Sequence, residues 1–220
     1  MESAATLSGT RVQAAEIIEL VDRCLAPLGL RPGDLAGLVV GDGPGSFTGL
    51  RIGWAAAKGL AQERGLALRA VPSLLAAAAG VAAVLGPVPV GAVFDALRGQ
   101  VYGTVCVVHP TRIELLVAPR LCTLAELIAA SPIRPRAVVG DGATKAPREI
   151  EAWSGAMPLG LGALRPTAAS LLDLCARSGV GRSLADLAAA EPEYGRLAEA
   201  QARWEAHHGR PLPDPSRTNG

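Results

Sequence analysis

LVVGDGPGSFTGLRIGWAAAK, residues 38–58, decides how this chain reads. A β-branched run stops at a glycine-rich turn, and a helix of small and apolar residues begins directly after it. Ser46 stands where a serine oxygen can accept a free backbone N–H of the first helical turn, so a helix is expected over residues 46–62. Arg51, Lys58 and Gln62 mark one polar face. The rest (Leu50, Ile52, Gly53, Ala55, Ala56, Ala57, Gly59, Leu60) leaves little for water. A helix-interior glycine costs about 1 kcal/mol relative to alanine. Gly53 and Gly59 therefore predict a second backbone too close to admit a Cβ, and a helix buried on two sides.

Working outward, residues 11–28 carry a helical stripe of Ala14, Ile17 or Ile18, Val21, Leu25 and Leu28, widened by Ile17, Leu20 and Cys24. A stripe that wide can serve a core on one side and a second surface on the other. Gly29, Pro32 and Gly33 end it, and a strand is expected over 35–40. Downstream come a strand over 66–71 and a helix over 73–85. Three strands in VPVGAVFD, VYGTVCVV and RIELLVA then form an antiparallel meander with turns at 97–100 and 109–111. After Thr123, a cap for TLAELIAA, alternation returns: strand 136–140, helix 147–153, helix 168–178, and beyond 190 a final helix and frayed tail. The pattern indicates α/β or α+β architecture. LVVGDGPGS at 38–46 and AVVGDGATK at 137–145 both place Gly-Asp-Gly between strand and helix, which suggests two related α/β halves, 1–86 and 87–220.

Bulk properties narrow the function. The net charge is +1, with 21 basic and 20 acidic residues interspersed, so no polycationic face is evident for nucleic acid. Cys24, Cys106, Cys122 and Cys175 form no C-x-x-C pair, and His109, His207 and His208 no i, i+4 pair, so no metal site is expected. Residues 70–94 lack charge, but Pro72, Gly80, Gly86, Pro87, Pro89 and Gly91 divide them too finely for a spanning helix of about 20 residues. The start lacks a leader pattern, and cytoplasm is the expected location.

Gly41–Gly49 departs from both phosphate-loop patterns. Gly45 is followed by Ser46 and Phe47 rather than Gly-Lys-Ser, Gly49 falls one place late for G-x-G-x-x-G, and Pro44 removes an N–H. A structural turn fits better than a nucleotide loop. Asp95, Asp42 and Asp141 read as turn acceptors for backbone N–H groups. Neither Ser46 nor Ser73 lies in a G-x-S-x-G elbow, so no catalytic residue is assigned.

GPGSFTGLRIGWAAAKGLA at 43–61, with VPSLLAAA after it, resembles the signature of the TsaB family, the small actin-like partners of the tRNA threonylcarbamoyladenosine transferase TsaD. AVFDALRGQVYG at 92–103 is similar to that family's DAR-x-G-E-V-Y turn, AVVGDGA at 137–143 to its second Gly-Asp-Gly, and EPEYGRLAEA at 191–200 to its P-x-Y-x-R segment. The matched motif residues are Gly43, Pro44, Gly45, Ser46, Phe47, Thr48, Gly49, Arg51, Asp95 and Tyr102.

The resemblance implies a duplicated fold of the actin, sugar-kinase and chaperone-ATPase (ASKHA) class. It implies a non-catalytic scaffold without cofactor that docks on a TsaD-like transferase through its first two helices. It also implies homodimers through the same helices, a separate ATPase subunit, and only indirect contact with tRNA. Ile17, Leu20, Cys24, Gly49, Ile52, Gly53, Ala56 and Gly59 are the expected partner interface.

Leu97 and Gln100 depart from the family's usual arginine and glutamate. The family also opens with strands carrying an I-D-T-S-like start, whereas here a helix is expected roughly ten residues in, so those first strands are expected to be missing, through a misassigned start or a truncated copy. The competing reading is an ATP-binding or peptidase-type enzyme of the same fold.

Overall fold

The computed structural model describes residues 3–5, 14–177, 180–193 and 209. Its first helix, α1 (Ala14–Leu25), has Glu16 in its first turn and Arg23 in its last, each opposing the local end of the helix dipole. Two short 3₁₀ turns, Ala26–Leu28 and Pro32–Asp34, lead into β1 (Gly37–Gly41). In α2 (Phe47–Arg64) the Ser46 side chain caps by accepting from the Gly49 N–H, and Gly65 ends the helix in the left-handed region. β2 (Ala67–Val71) then pairs with β1 in parallel, Gly37 opposite Ala67 and Gly41 opposite Val71. α3 (Ser73–Leu85) has the bounds expected from its sequence.

The meander forms as β3 (Pro89–Asp95), β4 (Gln100–Val108) and β5 (Ile113–Thr123). After α4 (Leu124–Ala130), β6 (Ala137–Val139) runs parallel to β3. Three helices follow: α5 (Asp141–Lys145), α6 (Pro147–Ser154) and α7 (Ala168–Cys175). α7 stops three residues before the expected end at 178. The final helix expected beyond residue 190 falls mostly outside the described residues.

A last strand, β7 (Arg182–Ser183), was not anticipated from the sequence. It pairs antiparallel with β2, Ala70 opposite Arg182, so one sheet has the order β1-β2-β7 and the other β5-β4-β3-β6. The chain thus returns to its first sheet near the C-terminus and crosses the division expected at residues 86 and 87. α3 and α7 lie between the sheets, α2 covers the outer side of the first sheet, and α4, α5 and α6 cover the far side of the second.

The central core joins Val71, Leu74, Ala78 and Val81 to Val90, Cys106, Val139 and Leu174. Ala76, Ala77 and Ala78 are buried on α3, and their small side chains let elements approach it from two sides. Desolvation pushes the Cys106 thiol there up to about 12, which keeps it protonated and inert.

The helix–strand–Gly-Asp-Gly–helix order recurs as α1–β1–α2 and α4–β6–α5. In the second instance β3 pairs with β6 on one side, whereas among the described residues nothing pairs with the outer edge of β1. Among the described residues no helix is long and apolar enough to cross a membrane.

A capping box closes the start of α4. Thr123 Oγ1 accepts from the Glu126 N–H at 3.2 Å, and Glu126 Oε2 accepts from the Thr123 N–H at 2.7 Å. The Thr123 backbone hydrogen bond, reinforced by its hydroxyl, lowers the Glu126 carboxyl below its ordinary value. A carboxylate whose folded pKa is depressed stabilises above its unfolded pKa, and that contribution fades as pH falls through the folded one. A Glu126→Gln chain should therefore melt below wild type at pH 7, with the gap closing on acidification through the carboxylate range. A gap that stayed constant with pH would show that charge has no part in the cap.

Candidate interaction surface

The first Gly-Asp-Gly turn closes on the C-terminal part of the chain. Asp42 is 3% exposed and accepts two hydrogen bonds from one guanidinium, from Arg182 Nε at 2.8 Å and Nη2 at 2.9 Å. The Glu193 backbone N–H adds a third at 3.1 Å. This fork geometry raises Arg182 further above its ordinary value. The same guanidinium lies 5.3 Å from the Trp54 ring centroid, and Trp54 Nε1 donates to the Gly41 carbonyl at 3.0 Å. Lys58 Nζ donates to the carbonyls of Ala188 at 3.2 Å and Ala190 at 2.8 Å. At Gly43, with φ of 100°, a Cβ would come within 2.7 Å of the Glu193 carbonyl oxygen.

The turn is therefore a clamp for residues 180–193, and its geometry is that of a structural turn. Asp42 is therefore not the local turn acceptor expected: its backbone donor is Glu193, 151 residues away, and its principal partner is an arginine 140 residues away. Sequence reading passed over Arg182 and Trp54. Only the β7 pairing, which brings Arg182 beside the end of β1, could have pointed to them.

The second Gly-Asp-Gly turn secures the end of β3. Asp141 Oδ1 accepts from the backbone N–H of Asp95 at 3.0 Å and of Gly142 at 2.9 Å, while Lys145 Nζ donates to Asp95 Oδ2 at 2.6 Å. Asp141 thus fits the turn-acceptor reading; Asp95 is instead one arm of an ion pair. In the adjoining turn Leu97 and Arg98 have φ of 66° and 51°, a left-handed backbone that side chains other than glycine, asparagine and aspartate seldom adopt. Tyr102 is buried and lines, with Asp42, Gly43, Pro44 and Arg120, a space of about 60 Å³. Among the described residues no three His, Cys, Asp or Glu side chains converge as metal ligands would.

The expected interface residues divide into three groups. Ile17, Leu20 and Cys24 are half-buried on α1, which packs against α2. Ile52 and Gly53 are half-buried and Gly49 and Gly59 exposed on α2. Ala56 is buried inside the subunit at 7% exposure, which removes it from any outer surface.

Among the described residues the expected two-sided burial of α2 does not occur. Its buried residues are Trp54, Ala56 and Ala61, and a Cβ built on Gly53 or Gly59 would meet nothing within 4 Å. The crowding inferred from these glycines is thus absent among the described residues.

Of the remaining motif residues, Gly45, Ser46, Phe47, Thr48 and Arg51 are exposed and Pro44 is half-buried. The Arg51 guanidinium sits 5.4 Å from the Phe47 ring centroid. It shares with Lys58, Gly59, Gln62, Ala190 and Glu191 an open cleft of about 400 Å³.

A family model described as TsaD, tRNA N6-adenosine threonylcarbamoyltransferase, matches residues 10–203. The tRNA threonylcarbamoyladenosine biosynthesis protein TsaB of Bacillus subtilis is 33% identical over 181 residues, 80% of this chain and 76% of that protein. The Escherichia coli protein of the same name is 38% identical over 92 residues, 42% of this chain and 40% of its own length. Among solved structures, a Pseudomonas aeruginosa protein described as similar to peptidase YeaZ superposes with a TM-score of 0.62 at 24% identity, covering 84% of this chain and 85% of that one. YeaZ from Pseudomonas aeruginosa gives 0.55 at 23%, covering 74% of each chain. At those identities the two structures bear on the fold, which is theirs. With the family match spanning nearly the whole sequence and the Bacillus relative aligned over most of it, this chain belongs to the TsaB family.

Proposed function

We propose that this chain takes part in forming threonylcarbamoyladenosine in tRNA, as its relatives' names describe, and does so as a non-catalytic scaffold that holds a TsaD-like transferase. The observation that carries the scaffold reading is the open ground over Gly53 and Gly59. Two helix-interior glycines cost about 1 kcal/mol each and relieve no crowding among the described residues, so we read their use as lying outside the subunit. Beside them Ile52, Ile17 and Leu20 keep part of their apolar surface accessible. A second helix could approach such a face closely.

The space at the Gly41–Gly45 turn supports the scaffold over an ATP-binding enzyme. It holds about 60 Å³, whereas ligand pockets run to about 300–1,000 Å³. Tight binding of ATP by the isolated chain would instead favour the enzymatic reading. The homodimer is read as a competing use of the same helices, and the ATPase subunit as a further member of the assembly.

Two substitutions at one position separate folding from assembly. Gly53→Ala should raise the stability of the isolated chain by up to about 1 kcal/mol, because the new methyl meets open space and the helix gains propensity. Gly53→Leu should leave the isolated chain folded and abolish stoichiometric co-purification with the transferase. If Gly53→Leu still co-purifies, this helix face is not the interface. The function itself is tested by depleting the chain and measuring threonylcarbamoyladenosine in bulk tRNA. An unchanged level, with no second copy in the genome, would overturn it.

A further inference from the structure

The clamp that secures residues 180–193 also builds a cleft on the outer face of α2. Its floor carries Gly59 from the small-residue row, so it continues the surface assigned above to the partner. Its walls hold two cations of different character. Lys58 Nζ spends two N–H donors on the Ala188 and Ala190 carbonyls, which leaves one donor and its full charge at the cleft. Arg51 is exposed and lies over the Phe47 ring, and among the described residues no carboxylate pairs with it. Stacking on an aromatic face orders a guanidinium before binding, which lowers the entropy lost when it forms a forked hydrogen bond.

We infer that this cleft receives an acidic side chain, Asp or Glu, from a helix of the transferase partner, with Arg51 as its forked donor. The inference rests on the partner reading above and adds to it a specificity contact. Charge complementarity favours a single carboxylate over a nucleic-acid backbone: one forked guanidinium beside one ammonium suits a single anion rather than a run of phosphates, and the chain as a whole carries a net charge of only +1. Gly59 and Ala55 leave room for a helix to bring that carboxylate close.

The test uses the full chain and the purified transferase of the same organism, with no nucleotide present, titrated at two salt concentrations. Arg51→Ala should weaken the dissociation constant by about tenfold or more, and Arg51→Glu by about a hundredfold or more, the range seen for charge pairs across interfaces. Arg51→Lys, a point charge without the fork, should recover part of the loss. The wild-type affinity should fall with added salt and that of Arg51→Ala should fall less. Reversing the partnering acid on the transferase to Lys or Arg should restore binding to Arg51→Glu.

Wild-type affinity in Arg51→Glu would overturn the cleft contact. If Gly53→Leu abolishes binding in that same comparison, the helix-face reading stands without it. If neither substitution changes binding, the partner reading fails as well. Loss of tRNA binding in Arg51→Glu with the transferase affinity intact would instead assign the cleft to nucleic acid and overturn the proposal.

Discussion

A Gly140→Ala chain is expected to lose about 3–5 kcal/mol of stability, a large share of the roughly 5–15 kcal/mol that holds a domain folded. Two independent causes add. Gly140 has φ of 133° and ψ of 165°, a region essentially closed to residues with a Cβ, and holding alanine there costs about 1–3 kcal/mol. The new Cβ would also fall 2.0 Å from the Val93 carbonyl oxygen and 2.7 Å from its carbon. That neighbour is backbone of a paired strand, so it cannot swing aside as a side chain would.

Relief would require parting β6 from β3, the pairing that positions the Gly140–Gly142 turn. Gly29→Ala supplies the control: φ there is 67° but nothing lies within 4 Å of a built Cβ, so about 1 kcal/mol is expected. Urea unfolding of the two variants reads the difference. Equal losses would show that the β3 backbone yields and that the collision carries no cost.

The second large effect is expected at Arg182. Removing one member of a buried ion pair costs about 3–5 kcal/mol because a charge is left buried without a partner. Asp42 meets that condition, with its side chain 5% exposed, but the Arg182 side chain is 39% exposed and water screens part of the interaction. An Arg182→Ala chain should therefore lose about 2–3 kcal/mol.

The same change removes both guanidinium bonds between the 180–193 segment and the Gly41–Gly43 turn, along with the cation over Trp54. It should also expose the 184–193 backbone to limited proteolysis. Adding Asp42→Asn to Arg182→Ala should restore part of the loss, because the neutral amide no longer needs a counter-charge in its buried site. A double variant no more stable than Arg182→Ala would mean that Asp42 is not the source of the penalty.

Much of the architecture was legible from residues 38–58 outward because the signals involved are local. Strand, turn and helix in that stretch follow from β-branching, glycine placement and Ser46, each acting within a few residues. The 73–85 helix lies between Pro72 and Gly86, two breakers that set its bounds within the sequence itself. Thr123 and Glu126 form their cap across three positions. The repeated Gly-Asp-Gly was visible as text, and both copies do tie a strand end to a neighbouring segment.

What each aspartate grips was hidden. Asp42 and Arg182 are 140 residues apart, and Asp95 and Lys145 are 50 apart. No periodicity links such positions.

By itself, then, the sequence determined the order of elements, their caps and the small-residue character of α2, because hydrogen bonding and side-chain periodicity within a segment need nothing from elsewhere in the chain. Only the tertiary structure decided how those elements are used. It returned 182–183 to the first sheet, buried Ala56 while leaving Gly53 and Gly59 open, and made the glycine turn after β1 a clamp for the C-terminal segment. The physical reason is the same in each case: burial, ion pairing and access to a partner are properties of surfaces assembled from distant parts of the chain.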